Sequence, residues 1–265
     1  MSLGRRRVGL HEPERWIYNR MAAAYAARPS YPSALVERLS ALAPVAKGHI
    51  LDVGAGLGHL SLPLAERGHS VIAIDPAAAM LQALSKRAVE AHQSLRVLHA
   101  AAESLPLPDA SVGLAIIADA LHFLDAHRSG TELARVLTPQ ASLAFVQVEL
   151  GASAFMRELV QLMQEAAPRR PRSVTGTMAE VAALCGVTLT VSETYENDVP
   201  LDHAQLEQLF GSISFIGPAM TPRRFSDFCA RVRAIRHAPR WHTHIQLHAG
   251  ERGAAARNLE NAKSI

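Results

Sequence analysis

Two rhythms of apolar and polar residues run along this chain, and the places where one replaces the other outline its elements. From Glu12 to Ala27 the apolar positions recur at helical spacing, and the PSYP of residues 29–32 stops that pattern before a second helical run, SALVERLSAL. A regular exchange follows: strand HILDV, helix LGHLSLPLAERG with a glycine stop, strand SVIAID, and helix PAAAMLQALSKRAVEAH with proline in its first turn. LRVLHA and SVGLAII read as strands, HRSGTELARVL as a helix and ASLAFVQVEL as another strand. Short apolar strands separated by amphipathic helices predict a parallel sheet covered on both faces.

Beyond Leu150 the exchange loosens. SAFMRELVQLMQEA is an amphipathic helix, PRRPR a basic turn, TMAEVAALCG a helix and VTLTVSETYE a strand. LDHAQLEQLF and RRFSDFCARVRAI are helical, and RWHTHIQLH alternates as a seventh strand, one that can return antiparallel to the sheet edge after so long an excursion. The expected organisation is an N-terminal arm with lid helices over residues 1–46 and one α/β domain over 47–253. Helical insertions at about 152–184 and 201–236 interrupt that domain, and residues 254–265 form a tail expected to be disordered. No repeat or low-complexity segment occurs.

Composition narrows the class. With 49% hydrophobic and 19% charged residues among 265, and a mean hydropathy of +0.07, the chain can bury a substantial core. The net charge of +3 is slight, and without clustering on one face it gives little footing for nucleic acid. Cys185 and Cys229 form neither a spaced pair nor a metal pattern, as expected in a reducing cytoplasm. MSLGRRRVGLHEPERW has no apolar run behind its basic residues, so no secretory signal is read, and no run reaches the roughly 20 apolar residues of a membrane span.

The chemistry gathers in HILDVGAGLGHLSLPLAERGHSVIAIDP. Gly54 and Gly56 free the backbone and let a ligand approach the main chain, and a helix expected from near Leu57 would aim its N–H groups there. A dinucleotide turn would place its third glycine at position 59, which is His59; here it comes one residue early, at Gly58. Asp52, directly before the turn, would repel a pyrophosphate and suit an ammonium group. Asp75, ending the next strand, can accept from both hydroxyls of a ribose. A ribose with a positive group and no required phosphate describes S-adenosylmethionine.

In LDVGAGLGHL, VIAIDPAAAML, AAESLPLPDASVGLAII, ADALHFLD and ELARVLTPQASLAFV, taken in that order, the chain resembles the class I S-adenosylmethionine-dependent methyltransferases. It is similar to their small-molecule, ubiquinone- and trans-aconitate-type ("methyltransferase type 11") branch. YNRMAAAYAARPSYP also resembles the segment that closes over the cofactor in that branch. The resemblance implies a Rossmann-like, seven-stranded, mostly parallel sheet with helices on both faces, an antiparallel last strand and helical lid insertions. It implies S-adenosylmethionine as methyl donor, S-adenosylhomocysteine as product, and a small-molecule acceptor. By position, Asp52, Gly54, Ala55, Gly56 and Gly58 would hold the methionine part and Asp75 and Pro76 the ribose side. Met80 would lie on the adenine face, Ala102 and Glu103 would border its edge, Ala118 would lie near the sulfonium, and Tyr25 would close over the cofactor. Three departures stand out. Ala101 replaces an aspartate that often holds the adenine amine, Gly113 replaces an aspartate before the fourth strand, and TPQA at 138–141 replaces a proline-glycine-glycine turn.

Methyl transfer from a sulfonium is an in-line displacement, in which positioning and water exclusion carry most of the catalysis. A hydroxyl acceptor gains from a base. His122, after the fourth strand, is the catalytic candidate, as base or direct substrate contact, against a packing role beside Phe123; Asp119 could orient it. Phe123, Phe155 and Phe215 are further substrate candidates, with Met156 and Phe210 in the same insertions, and they favour an apolar or aromatic acceptor methylated on O or N. Tyr18, Arg28 and Tyr31 lie in the expected lid, where Arg28 could meet the methionine carboxylate or an acidic substrate. His242, His244 and His248 share one face of a strand, but no carboxylate or cysteine is spaced in sequence to complete a metal site, so none is expected. The competing functions are a nucleic-acid methyltransferase, which lacks its Asn/Asp-Pro-Pro-aromatic motif here, a non-catalytic cofactor-binding protein, and a nicotinamide-dependent enzyme, which the glycine spacing disfavours. Oligomeric state, a homodimer included, is open.

Overall fold

A computed structural model describes residues 12–43, 48–168 and 173–253. The N-terminal basic residues, most of the PRRPR turn and the C-terminal tail lie outside the described residues. Helices α1 (Glu12–Tyr25) and α2 (Ser33–Leu42) precede strand β1 (His49–Val53). Then come α3 (Ser61–Glu66), β2 (Val71–Asp75), α4 (Ala78–Glu90), β3 (Arg96–His99), β4 (Val112–Ala118), α5 (Ala126–Val136) and β5 (Leu137–Leu150). The later part holds α6 (Ala154–Ala166), α7 (Thr175–Leu184), β6 (Val187–Pro200), α8 (His203–Gly211), α9 (Pro222–Arg233) and β7 (Arg240–Arg252).

The seven strands form one sheet in the order β3-β2-β1-β4-β5-β7-β6. β7 runs antiparallel and the remaining neighbours are parallel, as the sequence predicts. The edge expected for the last strand belongs instead to β6, and β7 lies inside between β5 and β6 because β6 pairs along its outer side. The reversal of strand order falls between β1 and β4, whose carboxyl ends open the crevice where ligands of such sheets sit. The central strands are apolar almost throughout because both faces are covered: β2 is buried along its whole length and β4 all but its last residue. β6 lies at the edge and alternates strictly.

Side-chain caps start α5, α6 and α8. Asp125 accepts from the Arg128 N–H, Ser153 from Met156, and Asp202 with Gln205 closes a capping box. α4 has no such cap of its own, and Pro76 lies outside it, before the N-cap Ala77, rather than in its first turn. Its N-terminal donors are met from elsewhere: Ala77 N–H by Asp75 Oδ1 at 2.7 Å, and Ala79 N–H by Asn19 Oδ1 of α1 at 3.0 Å. One arrangement thus starts the helix and docks the N-terminal segment against it.

Three local expectations are corrected. The helix after the glycine turn begins at Ser61, not near Leu57, because Gly54, Gly56 and Gly58 all hold positive φ (73°, 54° and 76°) and keep the chain out of a right-handed helix. Gly113 lies inside β4, at a register irregularity, and not before it. Its backbone approaches Gly48 so closely that a Cβ on Gly48 would stand 2.6 Å from the Gly113 nitrogen. TPQA forms no turn: α5 passes straight into β5 at Leu137, and these residues are the start of that strand.

The late helices divide between two tasks. α7 buries Val181 and Ala182 in the core beneath α5, so it covers the sheet. α6, α8 and α9 build a separate apolar cluster around Phe155, Met156, Phe210 and Phe228. That cluster roofs the carboxyl ends of β4 and β5.

Candidate active site

The glycine turn, the ends of β2 and β4, and the segment after β3 together line a cleft. Gly54, Gly56, Asp75, Pro76, Ala77, Met80, Ala102, Glu103 and Ala118 border it, with Tyr18, Tyr25 and Phe123 along one side. Of the residues expected around a cofactor, most therefore meet in one place.

Asp75 sits at the centre of this cleft. Its Oδ2 accepts from the Gly56 N–H at 2.9 Å and its Oδ1 from Ala77 at 2.7 Å. The carboxylate thus ties the glycine turn to the start of α4. Glu103 accepts from the Asp125 N–H at 3.0 Å, which fixes its side chain at the cleft margin opposite Ala101. The stretch leading from it is held from α5: Arg135 donates to the carbonyls of Leu105 and Leu107 at 2.9 and 2.8 Å, and Glu132 accepts from Leu105 N–H at 2.8 Å.

Asp52, Ala55 and Gly58 lie one layer deeper than the sequence reading placed them. Asp52 is 2% exposed and accepts from Ser61 Oγ at 2.5 Å, beneath the turn. Ala55 is buried on α4's side of the turn. Gly58 is where α4 presses against the turn, since a Cβ there would stand 2.2 Å from Leu84 Cδ1.

Burial pushes the Asp52 carboxyl up to about 6, with the nearby Asp75 adding to it and the Ser61 hydrogen bond opposing it. A carboxyl raised on folding contributes stability that is full below its unfolded value and is lost as pH rises through about 6. Asp52→Asn, which keeps an oxygen for Ser61, is therefore expected to stabilise the ligand-free protein at pH 8 by roughly 2 kcal/mol, or several degrees in Tm. The gain should disappear near pH 4. Thermal melts across that range check it, and a variant no more stable than the parent at pH 8 would show that Asp52 is not strained.

Beyond the cleft lies the roofed space. One cavity of about 210 Å³ is enclosed by Tyr25, Arg28 and Tyr31 of the N-terminal segment, Met163, Leu209 and Phe215 of the roof, and Trp241 and Ile245 of β7. A wider opening beside it carries His122, Gln147, Met163 and Phe215. Of the expected acceptor residues, Phe215 borders both spaces and His122 the wider one. Phe123 instead faces the cofactor cleft, its ring edge-on to Tyr18 at 5.4 Å, while Phe155 is buried in the core of the roof and reaches neither.

Asp119 borders the cleft and both acceptor spaces. It follows β4 directly and holds a φ of 49°, the left-handed region that a non-glycine residue enters at a cost. Its N–H bonds to Val146 O at 2.8 Å, which locks the turn that aims the side chain into the junction. Burial pushes its carboxyl up to about 6 against the pull of Arg28, whose Nη1 stands 3.8 Å away. Some 39% of the side chain is open to the cavity, and water there moderates the shift. Arg28 itself is anchored to the roof, donating to Ser212 Oγ and O at 3.2 and 3.1 Å, and lies 4.4 Å over the Tyr25 ring. It is committed to holding lid and roof together. His59, at the edge of the acceptor cavity, is driven down to about 4 by burial and by Arg87 and Arg28, so it stays neutral. The sequence signal for Asp119 was the position after β4, which drew attention to His122 three residues on.

On the outer face of β7, His242, His244 and Glu196 of β6 converge, with their ligand atoms all within 4.8 Å of one another. The carboxylate that sequence spacing lacks is supplied across the sheet, and the expectation of an incomplete ligand set is corrected.

The family model described as "Methyltransferase domain" matches residues 51–145. An uncharacterized methyltransferase of Mycobacterium tuberculosis is 43% identical over 119 residues, 45% of this chain and 46% of that protein. A malonyl-[acyl-carrier protein] O-methyltransferase of Pectobacterium atrosepticum is 35% identical over 130 residues, 48% of this chain and 49% of its own. The chain thus aligns with about half the length of the curated relatives it matches. A solved structure of a proposed type II methyltransferase from Anaeromyxobacter dehalogenans superposes with a TM-score of 0.59 at 26% identity, covering 84% of this chain and 97% of that one. Among the described residues no helix is long and apolar enough to cross a membrane.

Proposed function

Since this chain carries a class I S-adenosylmethionine-dependent methyltransferase domain, we propose that it transfers the methyl group to a hydroxyl or amine of a small apolar or aromatic acceptor. The observation that carries this reading is the placement of Asp119, which with Tyr25 borders both the cofactor cleft and a largely apolar chamber large enough for one or two rings. Gly54, Gly56, Asp75 and Met80 would hold the nucleoside in this cleft. When bound, the cofactor supplies an electrophilic methyl and a neutral thioether leaving group. The acceptor lies under Phe215, Met163 and Trp241 with water excluded, and the Asp119 carboxylate takes the proton that the acceptor heteroatom loses. The O-methylating relative is in keeping with oxygen as the acceptor atom, while the largely apolar chamber favours compounds without several charges.

The test is transfer of labelled methyl from S-adenosylmethionine into extracted small molecules and a panel of phenols, hydroxy acids and aromatic amines. Labelled product formed by the unmodified protein and absent with an Asp75 variant supports the reading. Tight cofactor binding with no transfer to any acceptor would point to a binding protein instead, and transfer confined to nucleic acid would overturn the acceptor class.

A further inference from the structure

We propose that Glu196, His242 and His244 form a binding site for a first-row divalent cation of the zinc type, which ties edge strand β6 to β7. The site is built by strand geometry. Residues two apart on a strand point to the same face, which brings His242 and His244 together, with ring centroids 4.8 Å apart. Antiparallel register then sets Glu196 directly opposite His244. Two imidazoles and one carboxylate are a donor set that zinc favours, with the fourth position left to water. Their ligand atoms already stand within 4.8 Å of one another.

Two neighbours favour the arrangement. Arg240, the cation on the same face, is held by Asp198, both carboxylate oxygens accepting from its Nε at 2.9 Å, so its charge is offset near His242. Glu149 pairs with His244 from the β5 side and adds negative charge beside it. The His242 ring is also seated: Gly151 donates its N–H to His242 O at 2.8 Å, and a Cβ on Gly151 would meet the ring at 2.5 Å. A side chain at position 151 would displace the ligand.

The reverse face of the same stretch carries Trp241, Thr243 and Ile245, which form one wall of the acceptor chamber. An ion bridging Glu196 to the two histidines therefore fixes the carboxyl end of β6 against the amino end of β7, on the side of the ladder opposite the chamber. The role is structural, and it stands whether or not the chain methylates anything.

Tag-free protein stripped with chelator is titrated with cobalt(II) in the absence of S-adenosylmethionine, and zinc is then measured by competition with a chromogenic chelator. The expected result is one equivalent of cobalt with the visible absorption of a four-coordinate ion, displaced by zinc, and a zinc-dependent rise in Tm. His244→Ala and Glu196→Gln should each weaken zinc at least tenfold and lose the Tm response, while His92→Ala, on a distant helix end, should change neither. Absence of stoichiometric binding, or binding equal in the His242→Ala/His244→Ala double variant, overturns the site. Circular dichroism shows whether each variant is folded, and the exposed Glu196→Gln change keeps the test decisive if a histidine variant is not.

Discussion

Asp75→Ala is expected to weaken S-adenosylmethionine at least 100-fold, more than any other single change at the cleft. Two losses add together. The ribose loses a charged acceptor, each such hydrogen bond contributing about 1.5–3 kcal/mol. The Gly56 and Ala77 N–H groups lose theirs as well, which loosens the turn and the start of α4 together. A 100-fold change corresponds to about 2.7 kcal/mol, within what one pair of these bonds supplies. Calorimetric titration with S-adenosylmethionine and S-adenosylhomocysteine measures it. Asp75→Asn separates the two contributions, since a carboxamide can still accept from one backbone donor without carrying charge. Binding unchanged in both variants would mean that the nucleoside lies elsewhere.

Asp119→Asn is expected to lower kcat by roughly 10²–10⁴ with little change in cofactor affinity, the usual range for loss of a positioned base. The parent enzyme should lose activity as pH falls through about 6, because a base must be deprotonated to act and burial holds this carboxyl near that value. Tyr25, Tyr31 and Arg28 face the same carboxylate from the N-terminal segment, with the tyrosines held above their ordinary value by burial, so none of the three titrates in that window. The acid limb should flatten in the variant. His122→Asn is the competing change: if it removes the acid limb and Asp119→Asn does not, the histidine is the base and Asp119 only orients. Arg28→Lys should act differently from both, raising KM through a loosened lid and roof, since Ser212 and the Tyr25 ring both hold the guanidinium.

Much of this was readable from the chain. Local rules define HILDV, SVIAID and SVGLAII as buried strands, because their apolar runs have no other way to lose water, and the glycines between them announce a close-approach turn. The order of strands and helices was enough for the seven-stranded sheet and its reversed member. The boundaries moved where local rules compete: α3 starts late because positive-φ glycines forbid a helix at Leu57, and TPQA enters β5 as an irregular stretch where the β4–β5 register shifts opposite Gly113.

Three properties belonged to the tertiary structure alone. Whether a residue near the cleft lines it or lies behind it depends on what packs around it; Asp52 is held beneath the turn by Ser61, and Phe155, expected as a chamber wall, is the core of the roof. The junction at Asp119 arises because three cavities made by segments more than 100 residues apart meet there. The cation ligands join across a β6–β7 register that sequence spacing does not encode. Sequence determines what each segment can bury and which turns it can make, since those follow from side chains within a few residues of one another. Which polar groups end up facing each other follows from packing and strand register, and these are settled only when distant segments close on a common core.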